Sequence, residues 1–73
     1  MALNERITFD IDKCSAQPTI RHMRIRVSDI LEMLAENVSI EEILNDFPDL
    51  EREDIQAALY YAAKRINISR VAA

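Results

Sequence analysis

The chain has no glycine in its 73 residues. Any turn that needs a positive φ must therefore be built from Asn, Asp or His, at some steric cost. There is one cysteine, Cys14. A disulfide framework is excluded, and a lone thiol fits a reducing cytoplasm. The first ten residues, MALNERITFD, contain no apolar run. They read neither as a signal peptide nor as a membrane span. There is no tryptophan, and the aromatic residues are two Phe and two Tyr. A chain this short rarely builds a core worth more than about 3–5 kcal/mol without staples. Self-association, most simply a homodimer, is the expected extra stabiliser.

Net charge is −4, which argues against a general polyanion binder. Its distribution is uneven. Arg6, Lys13, Arg21, Arg24 and Arg26 dominate the first third. From Val27 to Leu59 the single basic residue is Arg52, against ten carboxylates. Lys64, Arg65 and Arg70 make the end basic again. Such asymmetry suits a partner of defined polarity, or a complementary surface within a dimer.

The best-specified stretch is Ser39 to Ala63. Ser39 and Glu42 form a capping box, and Val38 with Ile43 a hydrophobic staple. Pro48 stops that helix near Phe47. A second helix starts after Glu51, with Leu50 and Ile55 as its staple and acidic residues in the first turn. Two helices at a tight corner make a helix-turn-helix. Upstream, Ser28 is expected to cap a helix from Asp29 to about Glu36, ended by Asn37 as a left-handed residue. Ile30, Leu31, Leu34 and Val38 form its buried stripe. Ile40, Ile43, Leu44 and Phe47 form that of the second helix, and Ile55, Ala58, Leu59, Ala62 and Ile66 that of the third. Arg6 to Ile11 alternates as a half-buried strand, with Ile7, Phe9 and Ile11 on one face. Pro18–Ile20 and Arg24–Val27 read as the limbs of a hairpin around Arg21-His22-Met23. Residues 1–5 are expected to fray and 67–73 to form a tail. The fold class is mainly α: one domain, with a small β element over 6–27 and a trihelical, homeodomain-like helix-turn-helix over 28–66.

No catalytic constellation is complete. Asp10 and Asp12 beside Cys14 lack the ligand set of a metal site. His22 has no carboxylate or nucleophile spaced to work with it, and reads as a turn residue that tolerates an awkward φ. No enzyme activity, cofactor or metal is expected. The Arg21, Arg24 and Arg26 cluster is the best candidate for ligand contact. Its forked donors suit a nucleic-acid backbone, an acidic protein surface or the acidic helices of the same chain and its dimer mate. At the start of the third helix, Arg52 and Gln56 could read guanine and adenine. Glu51, Glu53 and Asp54 beside them would repel phosphates.

Taken together, Ile7 to Ala63 resembles the domain-of-unknown-function family 433. The resemblance rests on Ile7 and Asp10; on Pro18, Ile20, Arg24, Ile25 and Val27; and on Ile30, Leu31 and Leu34. It continues through Ser39, Glu41, Glu42, Ile43, Leu44, Phe47, Pro48 and Leu50 to Glu53, Asp54, Ile55, Ala57, Ala58, Leu59, Tyr61 and Ala62. This chain departs at Ala16, His22 and Asn37, where the family has Gly, at Met23 in place of Thr, and at Ile11 in place of Pro. A strained or rearranged hairpin tip is the expectation. The resemblance implies a homeodomain-like antitoxin, paired with a small PIN-type nuclease toxin and able to repress its own operon. The expected partner is that toxin, engaged through the basic hairpin and the Ile7, Phe9 and Ile11 face. DNA is a secondary partner and no membrane is involved. A stand-alone DNA-binding regulator and a structural interaction module are the alternatives.

Overall fold

The computed structural model of the chain describes residues 2–10 and 17–68. Ile11, Asp12, Cys14 and Ala16, and the tail beyond Ile68, lie outside them. A 3-10 turn, Leu3–Arg6, leads into strand β1, Ile7–Phe9, which pairs antiparallel with β2, Pro18–Ile20. Helices α1 (Val27–Ala35), α2 (Ile40–Asp46) and α3 (Arg52–Ile68) follow. The protein is thus mainly helical, a trihelical helix-turn-helix with a two-stranded N-terminal element.

The helix ends follow local chemistry. At α2 the Glu42 amide donates to Ser39 Oγ at 3.1 Å and the Ser39 amide to Glu42 Oε1 at 3.0 Å. This reciprocal pair satisfies two otherwise unpaired donors of the first turn. Asn37 ends α1 with φ 69°. The Asn37 amide reaches Leu34 O and the Val38 amide reaches Met33 O, each at 3.0 Å, completing a Schellman closure without glycine.

Ser28 is not a cap. Helix α1 begins two residues earlier than expected, because Asp29 Oδ2 accepts the Arg26 amide at 3.1 Å. A carboxylate three residues into the helix caps it backwards, so Arg26 is the N-cap and Val27 is helical. This shortens the expected second hairpin limb, Arg24–Val27, to a single bridge between Thr19 and Arg26. The turn itself is tight. Arg21 and His22 have φ of 43° and 62°, and the Met23 amide donates to Ile20 O at 2.7 Å. Positive φ at both central positions is a type I′ turn, made here without glycine.

The core gathers Ile20, Val27, Ile30, Ile43, Leu50, Ile55 and Ala58 from every element except β1 and the 3-10 turn. Both staples contribute, through Val38 with Ile43 and Leu50 with Ile55. Two expectations fail together. Residues 3–5 are not frayed but form the turn that packs on α3. Helix α3 accordingly buries Asp54, Ile55, Ala57 and Ala58, while Leu59 and Ile66 remain 45% and 67% exposed. The N-terminal turn covers the flank at Ala57, so the buried face of α3 is rotated away from Leu59. Helix α3 also continues through Asn67 and Ile68, which were expected in the tail.

Candidate functional site

Asp54 stands three residues after Glu51, the residue that precedes α3. Its carboxylate accepts the Glu51 amide at 2.8 Å, the same backward cap that Asp29 gives α1. Here the cap is fully buried, and it has further partners. Arg21 Nε donates to Oδ1 at 3.0 Å and Arg21 Nη2 to Oδ2 at 2.8 Å, a forked pair. Arg6 Nη1 donates to Oδ1 at 2.9 Å and also to Glu51 Oε1 at 2.8 Å. Four donors thus fill the four acceptor positions of one carboxylate. Burial alone would raise the Asp54 carboxyl. Arg21, the Glu51 amide and Arg6 outweigh it and hold it below its ordinary value of 3.8. Arg21 Nη2 also donates to Asp49 O at 2.8 Å, tying the hairpin tip to the helix-turn-helix corner. Arg6 is the less complete partner, for its Nε is buried without an acceptor.

The arginine cluster is therefore divided. Arg21 is committed to Asp54. Arg26 lies against Asp29, with Nε to Oδ2 at 3.1 Å and Nη2 to Oδ1 at 2.7 Å, and this holds the Asp29 carboxyl below its usual range. Arg24 is exposed, beside a shallow groove of about 270 Å3 lined by Ile25, Met33 and Phe47 and rimmed by Asp29, Glu32 and Glu36. At the start of α3, Arg52 and Gln56 are exposed one turn apart, on one face. The Arg52 guanidinium bonds Glu41 of α2.

Sequence spacing concealed two partnerships. Arg6 and Arg21 lie 48 and 33 positions from Asp54, and only the fold brings them to it. His22, which looked carboxylate-free, has Nδ1 at 2.9 Å from Asp10 Oδ2. The His22 amide also donates to Thr8 Oγ1 at 2.9 Å. Both contacts tie the strained tip back to β1. Replacing His22 with Gly should relieve the left-handed backbone, which costs a side-chain-bearing residue about 1–2 kcal/mol. Some of that is returned as unfolded-state entropy, and the exposed Asp10 contact is worth little. A net gain of about 0.5 kcal/mol is expected, read as a higher urea midpoint at unchanged slope.

Among the described residues, no group of three His, Cys, Asp or Glu could hold a metal, and no helix is long and apolar enough to cross a membrane. Asp12 and Cys14, weighed with Asp10 as ligands, fall outside those residues. What the geometry defines is a small helix-turn-helix domain whose N-terminal β element is latched to α3 through a buried carboxylate. Residues 7–62 match the family described as Protein of unknown function (DUF433), and the chain belongs to that family. No curated protein and no solved structure matches it.

Proposed function

We propose that this protein is a non-enzymatic, antitoxin-like module of the cytoplasm that binds a cognate PIN-like toxin through its arginine hairpin. The observation that carries this reading is how the start of α3 is employed. In a DNA-reading helix-turn-helix that end faces phosphates. Here Glu51 and Asp54 hold Arg6 and Arg21, Arg52 is engaged by Glu41, and Glu53 stands exposed in the first turn. Such an end repels a polyanion. The helix-turn-helix then serves as a scaffold. It sets the hairpin at a fixed angle and presents Arg24 beside the Ile25, Met33 and Phe47 groove. A partner that sets one carboxylate on Arg24 and an apolar side chain on that floor suits the combination, with its basic groups meeting the Asp29, Glu32 and Glu36 rim.

Co-expression with a small PIN-like nuclease, sought first among the chains encoded beside its gene, tests the proposal. Co-purification at defined stoichiometry, with loss of the toxin's nuclease activity, is the expected result. Arg24→Glu should weaken the complex at least tenfold, about 1.4 kcal/mol, with helicity by circular dichroism unchanged. Wild-type affinity in that variant would remove the hairpin as the interface. Operon repression by DNA binding is the second reading, favoured by the shared exposed face of Arg52 and Gln56. A shift assay on upstream DNA at several salt concentrations decides it. Phosphate contact requires affinity to fall as salt rises.

A further inference from the structure

The outer edge of β1 is open among the described residues, and its sequence is self-complementary. We propose that two copies of the chain pair there, β1 against β1 antiparallel about a two-fold axis at Thr8, to form one continuous four-stranded sheet. The ladder within one chain determines which backbone groups face outwards. The Arg21 amide donates to Arg6 O at 2.8 Å, while the Ile20 amide turns to the other side and donates to Ile25 O at 3.0 Å. Antiparallel pairs alternate between bonded and non-bonded. Thr8 and Thr19 therefore exchange bonds across the β1–β2 pair, and the N–H and C=O groups of Ile7 and Phe9 point away from β2. A second β1 centred on Thr8 sets Ile7 opposite Phe9 of its mate, twice, and gives the Phe9 amide and the Ile7 carbonyl their partners, the Ile7 amide standing at the closing step of the 3-10 turn. Arg6 then stands opposite Asp10, so no like charges meet.

The surface beside this edge calls for cover. Ile7, Thr8 and Phe9 carry no charge, no proline and no bulge, the devices that keep an edge strand single. Beneath the edge runs an apolar groove of about 820 Å3, lined by Leu3, Ile7, Phe9, Ala57, Tyr60 and Tyr61. Phe9 is 60% exposed and Tyr60 44%. The Phe9 and Tyr61 rings are 6.2 Å apart at 55°, in contact but not enclosed. An added β1 brings its own Ile7 and Phe9 over this floor, so the strand that satisfies the backbone also covers the rings. The pairing gives to a second copy the Ile7 and Phe9 face that the sequence offered to the toxin, and leaves the toxin the hairpin.

Light scattering on the full chain should give the mass of two chains, falling to one in Phe9→Lys with helicity intact. Amide exchange should show Phe9 protected in the wild type and unprotected in that variant. Cysteine trapping tests the register, with Cys14→Ser as background. Thr8→Cys places two thiols at a non-bonded antiparallel pair, with Cα atoms about 4.5 Å apart, and should give a disulfide-linked dimer under mild oxidation. Asp10→Cys places them four residues apart, about 13 Å by strand rise, beyond disulfide reach, and should stay reduced. A one-chain mass at the highest soluble concentration overturns the proposal. So does coupling of Asp10→Cys as readily as Thr8→Cys, or protection of the Phe9 amide only when the toxin is bound.

Discussion

Replacing Asp54 with Ala should remove roughly 3–5 kcal/mol of stability, the cost of breaking a buried ion pair from one side. The loss exceeds that of the hydrogen bonds alone, because the Arg21 guanidinium loses its carboxylate and Arg6 keeps only the more exposed Glu51. Arg6 and Arg21 are both largely shielded, with side-chain exposures of 11% and 29%. Against a core of about 3–5 kcal/mol for a chain this short, the variant should be largely unfolded at room temperature. Circular dichroism against urea checks this directly. Asp54→Asn keeps the shape and the Glu51 cap but loses the charge, so it should fall between the two. A double-mutant cycle with Arg21→Ala should show strong coupling, since the forked pair supplies two of the four donors.

The same carboxylate sets an acid limit. Its folded value lies below the unfolded one, so on acidification the unfolded chain takes up the proton first. The contribution of Asp54 is complete at neutral pH. It is lost as pH falls below about 3.8 and through the lowered folded value. Asp29 has the same sign. Wild-type stability should therefore drop steeply below pH 4, and the Asp54→Asn variant should show a shallower slope.

Ile55→Ala is expected to cost roughly 2–5 kcal/mol, as fully buried Ile truncations do. Ile55 is completely enclosed and follows Asp54 directly in α3. It packs in the cluster that includes Leu50, Ile43 and Ile30, and so joins all three helices. The cavity would open where α3 leaves the corner, a place with little freedom to collapse, since the Asp54 network pins the same turn. The thermal midpoint should fall by roughly 10 °C or more, at about 4–8 °C per kcal/mol for a domain of this size. Leu59→Ala, by contrast, should change stability by less than about 1 kcal/mol, because Leu59 is 45% exposed. The two substitutions measured side by side distinguish the observed face of α3 from the one its spacing suggests.

Most of what depends on neighbours in the chain was legible before the structure. The Ser39–Glu42 box, both staples, the stop at Pro48 and the left-handed Asn37 each concern groups within a few residues, where local sterics and hydrogen bonding decide the outcome. The family match over residues 7–62 agrees with that local pattern. The start of α1 was misplaced because two caps competed: a Ser side chain at the helix start, and an aspartate reaching back from the third position. Asp29 prevails with the help of Arg26, whose amide and guanidinium both bind it.

The chemistry of the Arg cluster was beyond local reading. Arg21, Arg24 and Arg26 look alike in sequence, yet one is latched to Asp54, one caps a helix and one is presented on the surface. Three helices, the corner between α2 and α3 and most of the apolar core could be read from the chain alone, because helix period and capping are properties of short segments. That an acidic helix start is a buried anchor for two distant arginines emerges with the packing of β1, the hairpin tip and α3. Coulombic pairing and desolvation act through space, and no spacing along the chain encodes which charge will be brought inside.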